Sequence, residues 1–256
     1  MNRLPPVPSE HYTREYFQKW NYADRGLGKY SMYWFARRYY AALVRRFAPK
    51  PITGEAHQLL EMGCGLGHLL GLLQDDFECT GIDLIDYSID QTRINAPKTH
   101  AIQMSADDLS NFEESSFSVV VALHLVEHLP NPAHTIREVG RILKPGGLWL
   151  FATPQPDYAL RHFKDHDTDA IGKDKTHINV HPPRQWQQWC EDANLHMLCH
   201  FGDGLWDVPY LPLVPKFLQF AIFGLPALAQ VVTQTTFTPL SMGVNQIGIA
   251  KKPITT

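Results

Sequence analysis

From residue 57 onward, short apolar runs alternate with stretches of helical periodicity, and no other feature constrains the fold as tightly. Residues 57–62, 77–83, 101–104, 117–123, 148–152, 195–201 and 244–250 read as strands. Between them, 66–73, 87–94, 132–143 and 183–193 read as helices. Asn131 is placed to cap the third of these with Pro132 at its first position, and Lys144-Pro145-Gly146-Gly147 stops it. Strands that alternate with helices of this size predict parallel βαβ units, hence a doubly wound, seven-stranded, mostly parallel α/β sheet.

The chain departs from this pattern at both ends. Residues 1–50 hold ten Lys/Arg against three acids, so a total charge of -3 divides into +7 in front and -10 behind. Ser9 or Thr13 could open a first helix. A second is predicted over 30–48, with an apolar stripe of Trp34, Phe35, Tyr39, Leu43 and Phe47 beside Arg37, Arg38, Arg45 and Arg46. Pro49 and Pro51 end it, which suggests a helical N-terminal cap (1–50) on a core (51–256). Near the other end, residues 208–250 contain five prolines and one charged residue, Lys216. Pro215 and Pro226 suit first helical positions, predicting two short apolar helices, 216–223 and 227–232, broken at Gly224 within an insertion at 205–243. Neither is long enough to span a bilayer.

Composition excludes several classes. At 256 residues, 44% hydrophobic and 19% charged, the chain can bury a core without staples. Cys64, Cys79, Cys190 and Cys199 form no C-x-x-C pair, which argues against a disulfide scaffold or a zinc ribbon. The opening MNRLPPVPSEHY has no apolar signal region, and no apolar run of about eighteen residues is visible, so a cytoplasmic protein is expected.

The chemistry concentrates in Glu61-Met62-Gly63-Cys64-Gly65-Leu66-Gly67, a glycine-rich turn between the first strand and the first helix. In an open α/β sheet that crevice takes the ligand, and glycine lets backbone approach it closely. Asp83, at the end of the second strand, is placed to accept hydrogen bonds from both ribose hydroxyls of a nucleoside. G-x-G-x-G behind an acid differs from the dinucleotide and P-loop patterns, and no lysine is offered to a phosphate. Glu61 favours a ligand with a cationic end, such as the sulfonium and ammonium of S-adenosylmethionine.

On these residues the chain resembles the class I S-adenosylmethionine-dependent methyltransferases, in particular the ubiquinone-biosynthesis-like, type 11 group of small-molecule methyltransferases. Glu61 to Gly67 is similar to the family's first motif, Gly81-Ile82-Asp83-Leu84 to its second, and Ser105-Ala106-Asp107 to the turn whose acid contacts the adenine amine. The longest similarity runs from Phe117 to Pro154 and takes in His124-Leu125-Val126-Glu127-His128-Leu129. It covers residues 57–200, departing at Ser118, where the family has an aspartate. The resemblance implies methyl transfer, with S-adenosylmethionine held by Glu61, Gly63, Cys64, Gly65, Gly67, Asp83, Leu84, Ala106, Asp107 and His124, and S-adenosylhomocysteine as product. Lys175-Thr176-His177-Ile178-Asn179 resembles a stretch near the acceptor, which makes His177 a candidate general base, with His128 the second candidate.

Rival readings attach to the same residues. His124-x-x-Glu127-His128 fits the inverted zinc-protease pattern, but it follows an apolar strand and Pro130 and Pro132 leave no room for the helix that pattern needs. His162, His166, His177 and His181 could be solvated loop residues, so no catalytic metal is expected. Interleaved arginines and aromatics at the front could bind single-stranded nucleic acid, although no such module is recognisable and a cap over the crevice is favoured. The uncharged insertion calls for a partner: a hydrophobic or lipid-linked small-molecule acceptor, a second copy in a homodimer, or a peripheral membrane contact. O-methylation is favoured, and a catalytically silent member of the fold is the alternative.

Overall fold

The computed structural model describes residues 31–51, 53–164 and 169–254. The expected caps Ser9 and Thr13, the aromatics Tyr12, Tyr16, Phe17, Trp20 and Tyr22, and His166 with its neighbours Asp165 and Asp167 lie outside them.

Seven strands, β1 (Gln58–Met62), β2 (Glu78–Asp83), β3 (His100–Gln103), β4 (Phe117–Leu123), β5 (Leu143–Pro154), β6 (His196–Gly202) and β7 (Asn245–Lys251), form one sheet in the order β3-β2-β1-β4-β5-β7-β6. Pairing is parallel among the first five, whereas β7 runs antiparallel to both β5 and β6. The helices are α1 (Met32–Phe47), α2 (His68–Leu73), α3 (Asp86–Asn95), α4 (Pro132–Ile142), α5 (Ala170–Lys173), α6 (Pro183–Asp192), α7 (Lys216–Gln219) and α8 (Leu225–Thr233).

Strand β4 is buried at every position, and all but Ser118 are apolar, because both faces of the sheet are covered. On β4, Val119, Val121 and Leu123 join one layer with Leu59 of β1, Leu69 and Leu70 of α2, and Tyr39, Leu43 and Val44 of α1. Val120 and Ala122 face the other layer, with Ile136 and Val139 of α4 and Trp186 of α6. Each such side chain contributes about 1.5–3 kcal/mol by leaving water. Helix α1 therefore shares the core of the sheet. Its N-cap Ser31 accepts from Trp34 N at 3.1 Å, and Arg45 and Arg46 sit in its last turn, where they offset the helix dipole.

The strand order reverses between β1 and β4, so the segments leaving their C-terminal ends flank one crevice. The insertion between β6 and β7 starts and ends at the same edge of the sheet. Here the structure corrects the expectation of two broken helices. The chain passes from α7 through a π-helical turn, Phe220–Gly224, into α8, making one helix of 18 residues, Lys216–Thr233, with a mean hydropathy of 1.4. Pro226 offers no N–H and its ring crowds the carbonyl four residues back; the wider turn absorbs that conflict without ending the helix. By length and composition this helix could cross a membrane, contrary to the sequence reading.

Candidate active site

The turn after β1 is built from left-handed backbone. Gly63, Gly65 and Gly67 have φ of 65°, 53° and 73°. A Cβ on Gly67 would lie 2.8 Å from the Thr92 backbone, so this glycine is required by packing against α3. Around Gly65, by contrast, nothing lies within 4 Å of the position a Cβ would take. That bare backbone over open space is the cradle into which a ligand can settle.

Asp83 ties this turn to the end of β2. Its Oδ2 accepts from Gly65 N at 2.9 Å and its Oδ1 from Ile85 N at 3.0 Å. Each oxygen retains a lone pair for a ribose hydroxyl. Leu84, 43% exposed, extends an apolar surface from the same strand end. Ala106 is buried and Asp107 half-buried beyond β3, where Asp107 N donates to Ser105 Oγ at 3.2 Å. Cys64 is buried with its Sγ 3.5 Å from Thr92 Oγ1, a packing role. These residues lie together along three strand ends.

Helix α1 roofs the arc. Arg37 Nη2 donates to Tyr33 Oη at 2.6 Å, and its guanidinium lies close enough to Glu61 to act on that carboxyl electrostatically. Glu61 is 2% exposed; burial pushes its carboxyl up to about 8, with Arg37 opposing and Asp83 reinforcing the shift. Burial, and then Arg37, lowers His68 to about 4. Arg37 and Glu61 can thus face the carboxylate and ammonium of an amino acid moiety. The sequence showed Arg37 only as one of several arginines on a helix; its depth depends on α1 packing against α2.

Across the crevice, the turn after β4 is a short 3-10 helix, Val126–His128, which removes the helical zinc-protease reading. His124 ends the strand at φ 55°, a left-handed conformation uncommon for a non-glycine residue and typical of functional sites. Glu127 is fully buried, and neither carboxylate oxygen has a hydrogen-bond partner among the described residues. It is ringed by imidazoles: His124 Nδ1 lies 3.7 Å and His128 Nε2 4.0 Å from Oε1. Burial pushes this carboxyl up, but the three nearby histidines outweigh it and hold Glu127 below its ordinary value.

His177 arrives from far along the chain because Ile178 N and Asn179 N both donate to the Glu127 carbonyl, at 3.1 and 2.9 Å. Its ring centroid stands 4.9 Å from that of His128. The Nδ1 atoms of His128 and His177 face the carbonyls of Thr176 and Ile171, each at 3.0 Å, which assigns their basic lone pairs to Nε2. The side chain of His177 is only 13% exposed, so it is no solvated loop residue. Burial, countered by Glu127 and reinforced by His177, lowers His128. Glu127, His128 and His177 place ligand atoms within 4.8 Å of one another, a set able to share a proton or hold a cation. No spacing in the sequence disclosed that set, and Glu127 was read within the family similarity and a rival zinc-protease motif, with no role of its own. His181 Nε2 lies 3.1 Å from Asn179 Oδ1, and the His162 ring packs against Phe163.

The two halves touch. A Cβ on Gly63 would meet Leu125 Cδ1 at 2.8 Å, so the histidine-bearing turn leans directly on the glycine turn.

The fold has known counterparts. A family model described as a methyltransferase domain matches residues 30–200. The ubiquinone biosynthesis O-methyltransferase of Alkalilimnicola ehrlichii is 32% identical over 104 residues, covering 39% of this chain and 42% of that protein. The alignment thus spans about two fifths of that relative's length. A TehB-like SAM-dependent methyltransferase from Corynebacterium glutamicum superposes with a TM-score of 0.59 at 14% identity, over 95% of this chain and 99% of the other. Geranyl diphosphate C-methyltransferase from Streptomyces coelicolor, solved with Mg2+, geranyl diphosphate and S-adenosyl-L-homocysteine, gives 0.57 at 14% identity over 83% and 78%. The chain belongs to the methyltransferase-domain family, and its fold is that of the class I S-adenosylmethionine-dependent methyltransferases.

Proposed function

We propose that this protein transfers the methyl group of S-adenosylmethionine to a hydroxyl oxygen of an apolar small molecule. The observation that carries the reading is the buried Glu127 with its ring of histidines facing the glycine turn across the switch point of the sheet. The cofactor supplies an electrophilic methyl on a sulfonium that leaves as a neutral thioether. The acceptor oxygen forms the new bond to carbon, and its proton passes to Nε2 of His177, with His128 as its neighbour in the same hydrogen-bonding shell. Glu127 stabilises the imidazolium so formed, while Asp83, Glu61 and Arg37 orient the cofactor. Orientation and exclusion of water supply much of the remaining acceleration.

An apolar acceptor is supported by the insertion over the site edge, which carries Tyr210, Leu205 and Phe223 inward against Tyr158. The relative named for ubiquinone biosynthesis and the neighbour named for geranyl diphosphate point the same way. We place the enzyme in the reducing cytoplasm, where its four free cysteines are stable. The test is a screen for S-adenosylhomocysteine release with quinols, lipid extracts, sugars and amines. Turnover of lipophilic phenols is expected; turnover confined to sugars or amines overturns the proposal.

A further inference from the structure

The helix Lys216–Thr233 buries two amides and exposes most of its large apolar side chains. Gln219 and Gln230 are fully buried beside Ala227 and the half-buried Phe223 and Val231, and their amides serve backbone groups rather than water. Gln219 accepts from Tyr210 N and Leu211 N and donates to the carbonyls of Leu211 and Val214. Gln230 donates to Gly202 O and accepts from Thr238 N. The outward side is apolar, with Phe217 72%, Ile222 64%, Leu225 57% and Val232 60% exposed, and Leu213, just before the helix, 96% exposed. An amphipathic helix on a protein in water shows the reverse distribution. Only 22% of this helix is buried.

We infer that this face docks on the surface of a bilayer containing anionic lipid. Charge selects that occupant. No acid occurs between residues 208 and 250, and exposed cations stand at both ends of the apolar stripe. Lys216 opens the helix, and at its far end the exposed Arg46 donates to Gln234 O at 3.5 Å. An apolar stripe bracketed by cations suits acyl chains below phosphate headgroups. A second copy fits poorly: parallel pairing sets Lys216 against Lys216, and antiparallel pairing sets Lys216 against Arg46, with no acid between residues 208 and 250 to relieve either. The helix lies on the membrane and does not span it, since crossing would strip Gln219 and Gln230 of their backbone partners.

The docked face belongs to the insertion at the sheet edge that also carries the glycine turn and the histidines. Docking thereby brings the crevice to a lipid reservoir; that last consequence rests on the apolar-acceptor reading, whereas docking itself does not.

The test uses the full chain with vesicles of phosphatidylcholine alone and of phosphatidylcholine mixed with phosphatidylglycerol, followed by sedimentation. Association with the anionic vesicles is expected, weakened by salt. In Phe217→Asp/Ile222→Asp it should fall about a hundredfold, as loss of two inserted apolar side chains requires. Lys216→Glu/Arg46→Glu should lose the preference for anionic lipid. Affinity for S-adenosylhomocysteine, measured by calorimetry, should be unchanged in both variants, which certifies their fold and separates failure of docking from failure of the methyl-transfer proposal. No vesicle association by the wild type, or a stable dimer that Phe217→Asp/Ile222→Asp converts to monomer, overturns the inference.

Discussion

His128 and His177, nearly fifty residues apart in sequence, lie with ring centroids 4.9 Å apart beside the buried carboxylate of Glu127. If His177 takes the acceptor proton, His177→Ala should reduce turnover about a hundredfold or more and leave cofactor affinity intact. Near-normal turnover would transfer the role to His128. Turnover abolished by a chelator and restored by a divalent metal would assign the cluster to a cation instead of a proton.

Glu127→Gln removes the negative charge that favours imidazolium in this cluster. Neutral imidazole is the form able to act as base, so protonation of the cluster lowers activity. In the wild type, burial sets His128 below its ordinary value of 6.5 despite Glu127. Without that charge the value drops further, and the acid limb of the rate profile should move to lower pH while the maximum rate falls. A limb that stays in place would show that Glu127 does not act on the titrating group.

If Glu61 faces the cofactor's ammonium, it couples binding to protons. Its carboxyl titrates near 8 in the free protein, so at pH 7 it is mostly protonated. An ammonium group brought against it favours the ionised form, so binding should release a proton below pH 8 and tighten as pH rises toward that value. Calorimetry in buffers of different ionisation heat measures the release directly. Equal heats across buffers would remove Glu61 from contact with the cofactor.

Asp83→Ala should weaken S-adenosylhomocysteine binding by about 1.5–3 kcal/mol, the scale of hydrogen bonds to a charged group. It also unties Gly65 N from β2. Unchanged affinity would show that the carboxylate serves the turn alone.

Two glycines of the same turn should respond differently to alanine. Gly67→Ala drives a methyl into the Thr92 backbone and should lower the melting temperature sharply. Gly65→Ala meets no atom, so its cost to the free protein is about 1–2 kcal/mol of left-handed strain. Its main effect should appear in cofactor affinity, because the methyl occupies the cradle. Equal affinity losses per unit of destabilisation in the two variants would refute that assignment.

Local chemistry made much of this fold legible. Strand β4 occupies the predicted 117–123, and α4 starts where Asn131 and Pro132 said it would, with Asn131 Oδ1 accepting from His134 N at 3.2 Å. The glycine turn and its tie to Asp83 were readable because Gly63, Gly65, Gly67 and Asp83 are set by short-range geometry. The histidine cluster was not, because His177 reaches Glu127 through backbone bonds from Ile178 and Asn179 that leave no periodic trace. The reversed direction of β7 is likewise invisible in a run of buried residues. A helix that survives Pro226 by widening one turn contradicts the ordinary reading of proline, and so 216–233 looked like two pieces.

The insertion leaves and re-enters the sheet at a single point. Gly202 pairs with Gln246, Asp203 N donates to Asn245 O at 3.1 Å, and the Asp203 carboxylate accepts from Asn245 N and Nδ2 at 2.8 and 2.6 Å. A loop whose two ends are clasped this way can lengthen, shorten or change polarity without shifting the register of any strand. Selection could therefore exchange the insertion as an interchangeable module while the sheet beneath it stays constant, and a graft between Asp203 and Asn245 is the natural seam for altering it.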